Sequence, residues 1–342
     1  MAEPGARMAA EVAEQPAVFD SLVARRDDVA AVARLIAERR PRFALLAARG
    51  SSDHAALYAK YLIEVLLELP AGLVSPSTTT LYGARPDLTD VLYLSVSQSG
   101  GSPDLVAATS AARERGALTV AVTNTPSSPL SDAAGLSVDI KAGEELAVAA
   151  TKTYSATLLS LYLLVDAIRG GSGAAVAGIG ELAATALAVS VDEAIERFRA
   201  IDRVVTTGRG YSSATAAEAA LKLAETSYLG ARSYSGADLL HGPVAAVDDR
   251  TGVVAVTSKG RGGTAMRDVV ETVRSRGASV LAVGSSAGDV PADLRVVLPE
   301  TAEEVAPILE ILPLQRLALA LSLARGGDPD KPRGLNKVTR TL

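Results

Sequence analysis

Apolar positions in this chain follow two rhythms. Short runs rich in Val and Leu, such as Phe43-Ala-Leu-Leu-Ala47 and Val91-Leu-Tyr-Leu-Ser-Val96, alternate with longer alanine-rich stretches, and Gly, Ser or Asn marks each switch. This alternation predicts β-α-β units in a parallel sheet covered by helices on both faces. The pattern also occurs twice, about 160 residues apart. Phe43 to Ser52 is matched by Val204 to Ser213, Val91 to Gly101 by Gly252 to Gly262, and Arg113 to Val122 by Arg274 to Val283. The expected fold is therefore α/β, two tandem, doubly wound parallel-sheet subdomains of the flavodoxin-like kind.

The flanks follow a helical period. An N-terminal helical arm is expected over 1–39, with Val12, Val18, Phe19, Leu22 and Val23 on its apolar stripe. The first subdomain then spans 40–170 and the second 201–325. Between them, 171–200 reads as a flexible glycine-rich linker (Gly170 to Gly180) followed by a helix over Glu181–Ala200. After a helix from Pro307 to Arg325, the tail 326–342 is rich in Pro, Gly and charge, and by itself fits a frayed terminus.

Composition narrows the chemistry. Hydrophobic residues make up 48% of the 342 positions and aromatics only 4%, so the core must be aliphatic. The net charge is −5, with no basic block for a nucleic-acid partner. There is no cysteine, which excludes disulfides, thiolate metal sites and a cysteine nucleophile. No signal-like segment opens the chain, and no uninterrupted apolar run reaches the ~18 residues of a membrane span. A soluble, cytoplasmic protein without membrane contact is expected.

Three groups of residues could carry chemistry. Ser97-Gln-Ser-Gly-Gly-Ser102 joins a buried strand to the helix Pro103–Arg115, where glycines allow close approach and hydroxyls and free N–H groups can surround an anion. The loop lacks a P-loop lysine and dinucleotide spacing, which favours a phosphate monoester. Gly50-Ser-Ser52 sits at another strand end, where open α/β sheets bind ligands. Lys222 and Glu225 share a helix face, as a solvated ion pair or as a carboxylate base with its partner. His241 in Leu240-His-Gly-Pro243 offers an imidazole on a loop, which suits opening of a sugar ring, while His54 suits capping or packing. Two histidines so far apart make a weak metal site, so no metal and no cofactor are expected.

Taken together, Glu11-Val-Ala-Glu-Gln-Pro16, Gly50-Ser-Ser52, Ser97-Gln-Ser-Gly100, Ala142 to Lys152, Ala220 to Glu225, His241-Gly-Pro243 and Asp330-Lys-Pro-Arg-Gly-Leu-Asn-Lys337 resemble the sugar-isomerase (SIS) domain family. In particular they resemble the isomerase half of the glucosamine-6-phosphate synthases, and the likeness covers nearly the whole chain. The resemblance implies that Ser97, Gln98, Ser99 and Ser102 grip the phosphate, and that Ser52, Val148, Ala150 and Asn336 are sugar-binding positions. It implies that Glu225, beside Lys222, shuttles a proton between C1 and C2. His241 would open the sugar ring in a neighbouring subunit's site, which requires a homodimer with shared sites. Lys337 would form a Schiff base with the open-chain ketose, under a tail that closes over the active site as a lid.

The chain also departs from the synthases. Within these 342 residues there is no counterpart of the glutaminase domain and no cysteine, Gly101 replaces an acidic residue, Ala150 replaces a serine, and Arg49 replaces a smaller residue before Gly50. The expected function is a glutamine-independent isomerase or deaminase acting at C1–C2 of a hexosamine or ketohexose 6-phosphate. Two alternatives stay open. One is a lyase that removes the C2 proton of N-acetylglucosamine 6-phosphate and expels the C3 hydroxyl. The other is a non-catalytic sugar-phosphate sensor.

Overall fold

A computed structural model of the chain describes residues 3–337. In chain order the elements are α1 (Ala6–Ala13), α2 (Gln15–Ala24), α3 (Arg26–Arg39), β1 (Phe43–Ala47), α4 (Ser51–Leu66), β2 (Ala71–Leu73), α5 (Ser77–Thr80), β3 (Val91–Val96), α6 (Pro103–Glu114), β4 (Leu118–Thr123), α7 (Pro129–Ala133), β5 (Leu136–Asp139) and α8 (Lys152–Ile168). There follow α9 (Ile179–Ala188), α10 (Asp192–Phe198), β6 (Arg203–Gly208), α11 (Ser212–Ser227), β7 (Gly230–Ser235), α12 (Gly236–Leu240), β8 (Thr251–Val256), α13 (Arg261–Ser275), β9 (Ser279–Gly284), β10 (Leu294–Val297) and α14 (Ala306–Ala324).

The repeat in the sequence is a repeat in topology. One five-stranded sheet runs β2-β1-β3-β4-β5 and the other β7-β6-β8-β9-β10, all strands parallel. Even the register repeats: Phe43 pairs with Val91 in the first sheet, and Val204 with Gly252 in the second. In both sheets the order reverses beside the first strand, so a crevice opens between β1 and β3 and between β6 and β8.

The chain divides into two compact units. One holds the first sheet and comprises Ala17–Glu145, Lys152–Ala177 and, of the described residues at the chain's end, Asn336 and Lys337. The other holds the second sheet and comprises 3–16, Leu146–Thr151 and Gly178–Leu335. In the first-sheet unit, Ala47, Tyr93, Leu105, Ala121 and Leu130 form an aliphatic core. In the second-sheet unit, Val253, Val269, Val273, Val280 and Ala282 do the same.

Four expectations change. The N-terminal arm is three short helices, and Val18 and Val23 are only half-buried while Val12, Phe19 and Leu22 are buried. The glycine-rich linker is pinned rather than loose, because the Asp166 carboxylate accepts from Gly173 N at 2.8 Å and from Arg169, and Val176 is buried. The helix expected over Glu181–Ala200 breaks into α9 and α10, where the Ser190 hydroxyl bonds Asp192. The tail is not frayed up to Leu335. Asp330 accepts from Arg7 N and Met8 N at 2.9 Å, and Asp328 from Gly5 N at 3.1 Å. These carboxylates supply the acceptors that the first turn of α1 lacks within itself.

Helix α14 is long and apolar enough to pass for a membrane span, yet 78% of its apolar window is buried in the protein. It carries Glu310, Gln315 and Arg316 and packs against α11, where Thr226 and Ser227 donate to Ala318 O.

Candidate functional site

In the first-sheet unit, the loop after β3 has little freedom. Gln98 O accepts from Asn124 N at 3.1 Å and from the Thr123 hydroxyl at 3.2 Å, which ties it to the end of β4. Gly100 has a φ of 59°, and a Cβ there would lie 2.0 Å from Ser128 Oγ. Only glycine fits. Gly100 N donates to Ser97 Oγ at 3.2 Å and Gly101 N to Ser99 Oγ at 3.3 Å. A hydroxyl that accepts an amide keeps its own proton, so both serines remain able to donate. Ser102 is the N-cap of α6 but makes no side-chain cap bond.

Beside this loop lies a cleft of about 590 Å³, lined by Gln98, Ser99, Asn124, Lys141, Glu145 and Lys337 among others. Ser97, Ser102 and Ser52 are not among its lining residues. Ser52 lies in the first turn of α4, half-buried, and Asn336 is exposed. Lys337 Nζ donates to Glu145 Oε2 at 2.8 Å. Glu145 is buried and also accepts from Thr153 N at 3.1 Å and Thr153 Oγ1 at 2.6 Å. Glu145 was not singled out from the sequence, because its partner lies 192 positions away.

In the second-sheet unit, Lys222 and Glu225 are paired at 2.6 Å, but not as a solvated surface pair. The Lys222 side chain is 1% exposed and lies 3.4 Å from Glu218, which is fully buried. Burial alone would depress the Lys222 pKa, yet the charges of Glu218 and Glu225 hold it above the usual lysine range. Glu225 keeps 24% of its side chain exposed, so one charged end of the Glu218–Lys222–Glu225 array can meet a ligand. The i,i+4 spacing of Glu218 and Lys222 already places the two on one helix face in the sequence. His241 is exposed at the end of α12, with its backbone N–H on Ala237 O and Asp238 O.

The segment bearing Val148 and Ala150, both half-buried, belongs to the second-sheet unit as well. The Glu11 carboxylate accepts from Leu146 N and, at 3.2 Å, from Ala147 N. Gln15 Nε2 donates to Gln315 Oε1 at 2.9 Å, and Gln315 Nε2 to Thr151 O at 3.1 Å. Glu11 and Gln15 thus hold both ends of the segment.

The two repeats diverge at the loop itself. Opposite Gly100 and Gly101 in the repeat stand Arg261 and Gly262, whose amides donate to the Glu303 carboxylate at 2.9 and 2.7 Å. The second loop is filled by an anion of its own. Nearby, fully buried Glu310 accepts from the hydroxyls of Ser212, Thr215 and Ser258 at 2.6–2.8 Å.

The SIS-domain family model matches residues 39–167 and 197–325, one match over each sheet. The chain belongs to the SIS family. Among curated proteins, this SIS chain is 36% identical to the glutamine–fructose-6-phosphate aminotransferase of Symbiobacterium thermophilum, over 96% of its own length and 58% of the relative's. The enzyme of the same name from Thermococcus kodakarensis is 34% identical, with 57% of its length covered. The chain thus spans less than three fifths of the curated relatives it matches, and what it resembles is their isomerase part. Among solved structures, a candidate phosphosugar isomerase from Silicibacter pomeroyi DSS-3 superposes with a TM-score of 0.88 at 37% identity, covering 94% of this chain and 99% of that one. The glucosamine-6-phosphate deaminase of Thermotoga maritima superposes at 0.78 with 25% identity, covering 98% of this SIS chain and all of the deaminase.

Proposed function

We propose that this protein is a sugar-phosphate isomerase or deaminase acting at C1–C2 of a hexosamine or ketohexose 6-phosphate, independently of glutamine. The observation that carries the proposal is the Glu218–Lys222–Glu225 array. A general base must be held in place, charged and reachable, and Glu225 is all three: Lys222 fixes one oxygen while part of the side chain stays open. Ser97, Gln98, Ser99 and Ser102 grip the phosphate, with Ser52, Val148, Ala150 and Asn336 against the sugar.

With an open-chain 2-amino aldose, Glu225 takes the C2 proton and the electrons move into a C1–C2 enolamine. Returning the proton to C1 leaves a C2 imine, and water hydrolyses it to the ketose and ammonia. With an aldose or ketose lacking the amine, the same transfer through an enediol is isomerisation. His241, exposed on its loop, opens the ring, and its exposure suits a contribution to a second copy's site in a homodimer. Lys337 adds to the ketose carbonyl only after losing a proton, for which Glu145 Oε2, 2.8 Å away, is the adjacent acceptor.

The test is incubation with glucosamine 6-phosphate, fructose 6-phosphate and N-acetylglucosamine 6-phosphate in deuterated water, with products read by mass spectrometry and ammonia assayed. Ketose phosphate with ammonia, or aldose–ketose exchange with deuterium at C1 or C2, is the expected result. Loss of water from the N-acetylated substrate would overturn it in favour of the lyase. Tight binding without turnover of any of the three would overturn it in favour of a sensor.

A further inference from the structure

The serine loop has a charge problem that neutral donors do not solve. A sugar phosphate brings close to two negative charges, and Ser97 to Ser102 contains no cation. Two residues beyond Ser102, in the first turn of α6, stands Asp104, whose side chain is 1% exposed. Asp104 thus stands within the first helical turn after the loop, so a phosphate held there has a buried anion in its neighbourhood.

One cation stands against that carboxylate. Arg49, between the end of β1 and Gly50, donates from Nε to Asp104 Oδ2 at 2.9 Å. The bond spans the crevice between β1 and β3, where the strand order reverses and open α/β sheets take their ligands. It uses one of the five guanidinium N–H groups. The Arg49 side chain remains 48% exposed, so part of it stays open to solvent beside the crevice. The neighbouring backbone is open: Gly50 has a φ of 57°, and a Cβ there would meet nothing within 4 Å. Asp104 holds the fork by one edge, and a planar guanidinium held this way presents the rest of its donors in the bidentate pattern that suits phosphate oxygens.

We propose that Arg49 is a further substrate-binding residue, which contacts the phosphoryl group held by the Ser97–Ser102 loop and screens it from Asp104. The inference rests on the proposed function, since it needs a sugar phosphate in that loop. It makes Arg49 a determinant of specificity for phosphorylated over free sugars and Asp104 a positioning residue that acts through it.

The test is calorimetric titration of the full chain with fructose 6-phosphate, inorganic phosphate and fructose, in wild type, Arg49→Gln, Arg49→Lys and the double variant Arg49→Gln/Asp104→Asn. Charge-assisted contacts of this kind are worth roughly ten- to a hundredfold in affinity. Arg49→Gln should lose about that factor for fructose 6-phosphate and phosphate while leaving fructose unchanged. Arg49→Lys should fall between. The double variant should regain part of the loss, because it also removes the anion that Arg49 screens. Unchanged fructose 6-phosphate affinity in Arg49→Gln would overturn the inference alone. So would equal losses for fructose and its phosphate, which would make the ion pair a brace for α6. A wild type that binds fructose 6-phosphate no better than fructose would overturn the proposed function and this inference together. Far-ultraviolet circular dichroism verifies that each variant is folded, and Arg49→Lys carries the test if Arg49→Gln is not.

Discussion

The carboxylate of Glu11 accepts the backbone N–H of Ala147 at 3.2 Å, across 136 positions of sequence. An acid in the second turn of α1 therefore anchors a loop that bears two candidate sugar-lining residues, Val148 and Ala150. Such a bond to an ionised acceptor contributes about 1.5–3 kcal/mol. Glu11→Ala is expected to lower unfolding free energy by about that much in urea titrations. It should also raise the KM for sugar phosphate more than it lowers kcat, because it loosens a wall of the site rather than the base. An unchanged KM together with unchanged stability would remove Glu11 from this role.

Lys222 sits between two carboxylates, one fully buried. Lys222→Met leaves Glu218 buried without its cation, which should cost about 3–5 kcal/mol. Replacing the pair together, as Lys222→Met with Glu218→Leu, should recover much of that loss, since apolar groups of similar volume tolerate the same burial. Glu225→Gln should differ from both, with near wild-type denaturation but no turnover and intact sugar-phosphate binding. Denaturation curves measured beside product formation separate the three.

Glu310 gives stability a pH dependence. Burial pushes its pKa above the usual glutamate range, against the hydroxyls of Ser258, Ser212 and Thr215, which pull it down. The native state then holds a proton over a window in which the unfolded chain has released it, from about pH 4.3 upward. The stability due to that proton is complete below this window and falls as pH rises through the native value. Glu310→Gln should flatten the decline. A variant whose stability falls as steeply as that of wild type from weakly acid to neutral pH would show that Glu310 is not its source.

Glu303 fills the loop of the second repeat. Glu303→Ala leaves the amides of Arg261 and Gly262 without their acceptor. The expected loss of about 1.5–3 kcal/mol should shrink in millimolar sulfate, because the N-terminus of α13 accepts an external anion in place of the carboxylate. Thermal unfolding with and without sulfate checks this, and the wild type should show no comparable gain.

Much of the architecture was legible before any coordinates. Alternating runs, each closed by a small-residue loop, predicted β1, β3 and β4 and their counterparts β6, β8 and β9, because strands buried on both faces leave a continuous apolar signal. The breaks in the N-terminal arm and at Val189 to Val191 were not legible. Helical period persists across an interruption of one to three residues, so nothing local marked the ends. Composition also misled at Gly170 to Gly180, where one carboxylate, Asp166, does what side-chain chemistry in the segment itself cannot.

The sequence by itself determined the repeat, the two parallel sheets, the serine- and glycine-rich loop at Ser97–Ser102 and the pairing of Lys222 with Glu225, all consequences of spacing along one element or its copy. Only the tertiary structure decided that Glu145 meets Lys337, that Glu11 holds Ala147, that Asp104 holds Arg49, and that Glu303 fills one loop while the other keeps serine donors. Charged side chains take their partners by distance in space, and burial sets what each pairing is worth. Neither quantity is carried by sequence separation once the chain has crossed from one strand to the next.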